Sequence, residues 1–149
     1  MSETYPLPGY DFAPPSGWID RSIHTFVLDD GTGTASLTVT RAAVPDGVTA
    51  RDFARAELDR LSHALPGFEL LDRRDMVTAS GTTELVECRW RTQHGTVDQL
   101  MATLPSPGGL MVFTGAAPAP MPGSIRSRIL GAIASAQPRP AAAGPGSHG

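Results

Sequence analysis

At 149 residues and a formal net charge of −3, the chain is sized for one domain and lacks the basic footprint that nucleic-acid binding requires. Its single cysteine, Cys88, excludes an internal disulfide and suits a reducing compartment. No apolar run approaches the roughly 18 residues of a membrane span, and the opening Met-Ser-Glu-Thr-Tyr-Pro has no signal-peptide pattern, so a cytoplasmic location is expected, with no stable membrane insertion.

Residues 1–8 read as a flexible, Pro-containing lead-in, and residues 9–136 as a single domain. Tyr10 and Phe12 alternate with Asp11 and Ala13, which suits a short edge strand. Pro14-Pro15-Ser16-Gly17 then turns the chain, and Trp18 is placed to cover one end of a core. Ser22 to Leu28 alternates as a strand, with Ile23, Thr25 and Val27 on one side. Asp30-Gly31 is a hairpin signal. The glycines of Gly31-Thr32-Gly33-Thr34 lead into a strand and have no lysine, so they are not a phosphate loop. In the return strand, Ala35 to Arg41, Ala35, Leu37 and Val39 face away from Ser36, Thr38 and Thr40.

Pro45-Asp46-Gly47 breaks the pattern, and Thr49 reads as an N-cap with Asp52 completing a capping-box variant. Ala50, Phe53, Ala54, Leu58, Leu61 and Leu65 follow a 3.6 period, so a helix is expected over residues 50–65, ended by Pro66-Gly67. Residues 68–72 and 76–79 read as a strand with an irregular charged middle, Arg73-Arg74-Asp75. Strands over residues 83–91, 97–104 and 110–114 follow at hairpin spacing, the last closing an antiparallel meander. Ser124 is expected to cap a final helix carrying Ile125, Ile129, Leu130 and Ile133, and the Pro/Ala/Gly-rich residues 137–149 to be a disordered tail.

The order of elements predicts an α+β fold. It is an antiparallel sheet with two helices packed on one face, through Phe26, Leu37, Val39, Leu100 and Leu104, while the other face stays open. Little in the chain carries chemistry. His24, His63, His94 and His148 have no ligand spacing with each other or with Cys88, so no metal or other cofactor is expected. Cys88 lies between Val86 and Trp90 on its own strand face, where a thiol behaves as a small hydrophobe. Asp29 and Asp30 are explained by the turn they make. The chain therefore reads as a binding module and not an enzyme. The open face combines Ile23, Thr25, Val27, Ser36, Thr38, Thr40, Gln99 and Met101 into an apolar patch dotted with hydroxyls and one amide. Aliphatic groups are costly to leave wet, and this mixture matches the contacts between transmembrane helices.

Several motifs carry a resemblance. Gly17-Trp18-Ile19-Asp20-Arg21-Ser22, Ala35-Ser36-Leu37-Thr38-Val39-Thr40-Arg41, Leu65-Pro66-Gly67-Phe68-Glu69-Leu70, Arg89-Trp90 and Gln99 occur in an order that resembles the DcrB-like, Eag-type chaperones of the bacterial type VI secretion system, over about residues 8–136. The resemblance implies a PsbP-like α/β sandwich, a homodimer, and an ATP-independent cytoplasmic chaperone. Such a chaperone shields the apolar N-terminal transmembrane segments of an effector and helps load it, often through a PAAR domain, onto the secretion spike. It also implies client contact at Ile23, Thr25, Ser36, Thr38, Thr40, Gln99 and Met101. Relatives often carry an amide where Glu57 stands and a second Gln where Met101 stands. The alternative is a PsbP-like small-ligand-binding or scaffold domain without a secretion role.

Overall fold

In the computed structural model, residues 5–7, 10–12, 23–29, 34–107 and 109–137 are described. The expectations for the turn at 14–17, for Trp18, for the hairpin residues 30–33, for His148 and for the tail from 138 onward lie outside them. Strands β1 (Tyr5–Leu7) and β2 (Tyr10–Phe12) form a small antiparallel pair. β2 is the expected short strand. β1 falls within the stretch read as a flexible lead-in, and it pairs with β2.

The main sheet is built from β3 (Ile23–Asp29), β4 (Thr34–Ala42), β5 (Glu69–Thr78), β6 (Gly81–Thr92), β7 (Gly95–Ser106) and β8 (Gly109–Pro118). All neighbours are antiparallel, in the order β3-β4-β8-β7-β6-β5. The meander β5 to β8 forms as its turn spacing predicts. β8 does not close the sheet: its second edge takes β4, so the N-terminal hairpin extends the meander. β5 runs unbroken through its charged middle. It is an edge strand, so Arg73, Arg74 and Asp75 remain wet, and a register shift between Leu70 and Asp72 absorbs the irregularity.

Helix α1 (Ala50–Ala64) begins with the expected capping box: the Asp52 amide donates to Thr49 Oγ1 (3.0 Å), and the Thr49 amide donates to the Asp52 carboxylate (3.4 Å). It ends before Leu65-Pro66-Gly67, with Gly67 at φ 64°. Helix α2 (Gly123–Ser135) starts two residues earlier than its sequence suggests. Pro122 takes the cap position and no side chain caps the end, so Ser124 lies inside the first turn.

The α+β class stands, and α2 covers the face expected of it. Ile125, Ile129 and Ile133 pack on Ala35, Leu85, Leu100, Ala102 and Ala117. Gly115 is small because of this contact, since a Cβ there would lie 2.6 Å from Ile129 Cγ2. α1 does not share that face. Its Ala54, Glu57 and Leu58 meet Val86, Met101, Thr103 and Val112, which point to the opposite side of the pleat from Leu85, Leu100 and Ala102. The topology explains the split. β4 and β5 point the same way at separated positions in the sheet, so their connection must cross it, and α1 is that crossover. One face is therefore sealed by α2, and the other is covered by α1 over β6, β7 and the adjoining Val112 of β8, leaving the rest of β8, β4 and β3 uncovered by it.

Candidate functional site

The β-ladder brings all eight expected residues onto one face. Ile23 is opposite Thr40, Thr25 opposite Thr38, and Val27 opposite Ser36. β8 continues the same rows, with Ser36 opposite Ala116, Thr38 opposite Thr114 and Thr40 opposite Val112. Gln99 follows opposite Ala116, and Met101 opposite Thr114. Three periods of strand alternation in three separate segments thus converge on one surface, as the pleat requires.

The eight residues do not share one environment. Over β3 and β4 the surface is open: Ile23 is 64% exposed, Val27 69% exposed and Thr25 exposed, while Ser36, Thr38 and Thr40 are half-buried. Over β7 it is not. Met101 lies partly beneath α1. Gln99 is only 8% exposed, and its Oε1 accepts a hydrogen bond from the Trp90 indole at 3.2 Å. The expectation that Gln99 offers a freely exposed amide is therefore corrected. Its carbonyl is engaged by the Trp90 side chain, two residue pairs along the ladder. Trp90 is the site-lining residue that sequence reasoning missed as a polar partner; its place on the same face as Cys88 was the available signal.

What remains open is a strip of three strands, β8, β4 and β3. At the usual strand spacing this is about 14 Å wide, enough for one α-helix about 10 Å across. Among the described residues, no hydrogen bond engages the hydroxyls of Thr25, Ser36, Thr38, Thr40 or Thr114. By contrast, Thr78, Thr83 and Thr92 each donate to a main-chain carbonyl. The strip therefore presents aliphatic groups together with uncommitted donors and acceptors. α1 borders it with Glu57, whose carboxylate is held by Arg60 through two contacts of 3.2 and 2.9 Å. That pairing raises the Arg60 pKa through the hydrogen bond and the charge of Glu57.

The opposite side is organised by ion pairs that hold structure. Arg89 and Asp98, opposite each other in the ladder, form a two-pronged pair at 2.6 and 3.1 Å, and Asp98 also accepts from the Met121 amide. The hydrogen bonds from Arg89 hold the Asp98 carboxyl below its ordinary range, against the opposing effect of burial. Arg74 and Arg126 converge on Glu87. These contacts tie the start of α2 to β6 and β7.

Cys88 is fully buried, and burial followed by the charge of Asp98 pushes its pKa up to about 11. A thiol in that state is neither nucleophile nor ligand at neutral pH. Among the described residues no group of three or more His, Cys, Asp or Glu side chains is placed to hold a metal ion, and no helix is long and apolar enough to cross a membrane.

A DcrB family model matches residues 11–135. Among solved structures, the chain is similar to that of a Pseudomonas aeruginosa protein of unknown function, PA94, described as a candidate regulator. The TM-score is 0.79 at 22% identity, over 94% of this chain and 99% of that one. At that identity the likeness shows a shared fold. No curated protein matches the chain.

Proposed function

Because the chain belongs to the DcrB family, we propose that it is a type VI secretion chaperone. It holds the apolar N-terminal transmembrane segments of an effector on the open β8-β4-β3 strip and helps load that effector, often through a PAAR domain, onto the secretion spike. The observation that carries this reading is the strip itself, where exposed Ile23 and Val27 flank uncommitted hydroxyls at Thr25, Ser36, Thr38 and Thr40. The mechanism is burial without bond-making. Each large aliphatic side chain fully covered by a client contributes about 1.5–3 kcal/mol. The hydroxyls meet the polar groups that a transmembrane helix carries among its aliphatic ones. The work is cytoplasmic, needs no cofactor and requires no catalytic residue.

Self-association belongs to the same proposal. β3 is an edge strand whose exposed apolar groups lie on both faces, Ile23 and Val27 on one and Phe26 (61% exposed) on the other. A client helix on one face would leave Phe26 wet, whereas a second copy pairing along the edge would shelter both.

Co-expression with the N-terminal segments of the effector encoded nearby tests the main claim. A complex stable without detergent is expected. Thr38→Asp should abolish it while leaving the thermal midpoint within a few degrees of the parent. Undiminished binding by a folded Thr38→Asp variant removes the strip from the function.

A second reading, small-ligand binding, is favoured by one observation. An open cavity of about 410 Å³ on the α2 side is lined by Leu104, Met111 and Phe113, with Arg41 at its rim. Saturable binding of a small amphiphile there, lost in Phe113→Ala, together with no client complex, would move the assignment to that class.

A further inference from the structure

α1 lies on the sheet without being built into it. None of its residues is buried, although its apolar stripe is well formed. Its N-terminal end is held by charge: Arg51 contacts Asp75 at 3.4 Å and Glu84 at 3.6 Å, and Glu84 is shared with Arg73 at 3.0 Å. Its C-terminal end is held by the backbone, where the Arg91 amide donates to the Pro66 carbonyl at 2.8 Å. Next to that bond, Gly67 sits at positive φ under the Arg91 side chain, where a Cβ would lie 2.5 Å from Nε.

These anchors fix how the helix runs. Arg51 is at Glu84, Leu58 at Val86, and Pro66 at Arg91, so α1 travels along β6 in the same direction. From Arg51 to Pro66 a helix spans about 22 Å, and from Glu84 to Arg91 a strand spans about 23 Å. The two lengths match, so one firm joint at Pro66-Gly67 and one screened electrostatic latch at Arg51 suffice to seat the whole helix. Between them, Ala54 and Leu58 enclose only a small void against Val86, Met101, Thr103 and Val112. A wider hollow opens along the outer side of α1, between Arg55 and Ser62 of the helix and Phe68 and Leu70 of the chain that follows it.

We propose that α1 is a hinged cover. It pivots about Leu65-Pro66-Gly67, releases the Arg51 latch, and lifts from β6 and β7. Lifting uncovers Met101 and Val86, which continue the Thr38–Thr114 row of the strip across the sheet, and Val112 and Thr103, which continue the row begun by Thr40. The surface offered to an apolar partner helix is thereby enlarged beyond the strip that is open at rest. What enters rests on the chaperone reading; the movement itself does not.

Thiol protection tests the movement on the full chain without any client. Val86→Cys places a second thiol on the same strand and the same face as native Cys88, one step nearer the latch, and both positions are buried at rest. With excess thiol reagent under native conditions, peptide-level mass spectrometry reads the two sites in one molecule. The introduced thiol is expected to react at least about tenfold faster than Cys88, because Cys88 lies nearer the pivot at Pro66-Gly67 and is uncovered last. Its rate should rise in about 0.5 M sodium chloride, which screens the latch, and in an added Arg51→Ala change, with a smaller rise at Cys88 nearer the pivot. Thr103→Cys, also buried beside α1, gives the same readout if Val86→Cys does not fold. Equal rates at both thiols, matching global unfolding, overturn the cover. So does a rate at the introduced thiol that is indifferent to salt and to Arg51→Ala. A failed cover leaves the Thr38→Asp client test intact, and a failed client test leaves the thiol result intact.

Discussion

The two helices differ in what fastens them. α2 presents Ile125, Ile129 and Ile133 to a face made of Leu85, Leu100, Ala102 and Ala117, and all seven of those side chains are buried. α1 is the better amphipathic helix by sequence and the better capped, yet buries none of its residues. A strong apolar stripe therefore reports that a helix has a sheet to lie on, while the depth of its seat depends on the partner face. α2 meets small and aliphatic side chains that let it approach closely. α1 meets Thr103, Met101 and Glu84, a mixed surface that keeps it higher.

Substitutions can widen or erase that contrast. Ile133→Ala, at a fully buried position of α2, should cost about 3 kcal/mol in urea unfolding. Asp98→Asn should cost about 2 kcal/mol by weakening a charged hydrogen-bond pair and the tie to Met121. Because the folded state holds the Asp98 pKa below its unfolded value, its contribution is complete above the ordinary carboxylate range and is lost as pH falls through the folded value. Unfolding measured from neutral pH down to about 3 should therefore show a shallower acid limb in Asp98→Asn than in the parent. Leu58→Ala, half-exposed on α1, should cost only about 1 kcal/mol. Arg51→Ala should change the urea midpoint by no more than about 0.5 kcal/mol in free-energy terms. If Leu58→Ala proves as damaging as Ile133→Ala, the two helices are fastened alike and the contrast fails.

Much of this molecule is legible in its amino acids. Period-two alternation found β3 and β4, turn spacing found the four strands of the meander, and the Thr49/Asp52 box marked the start of α1 at the right residue. The convergence of Ile23, Thr25, Val27, Ser36, Thr38 and Thr40 follows from the pleat alone once the hairpin is granted. The allocation of helices to faces was not legible. β7 carries Leu100, Ala102 and Leu104 on one side and Val97, Met101 and Thr103 on the other, so both sides can receive a helix. Only the strand order settles the matter, because a crossover from β4 to β5 can cover whichever side α2 does not. The engagement of Gln99 was equally hidden. It depends on Trp90 standing diagonally across a ladder whose register local spacing does not supply.

The seam between β4 and β8 has a further consequence. It joins residues 36–42 to residues 110–116, the longest separation of any pairing in the sheet. The rows Ser36–Ala116, Thr38–Thr114 and Thr40–Val112 straddle that seam. The hairpin and the meander can each take shape from neighbouring segments, but contacts this remote form slowly and late. A nascent chain therefore cannot complete the β8-β4-β3 strip until residues 110–116 have been made, and that surface comes into being only with the finished fold.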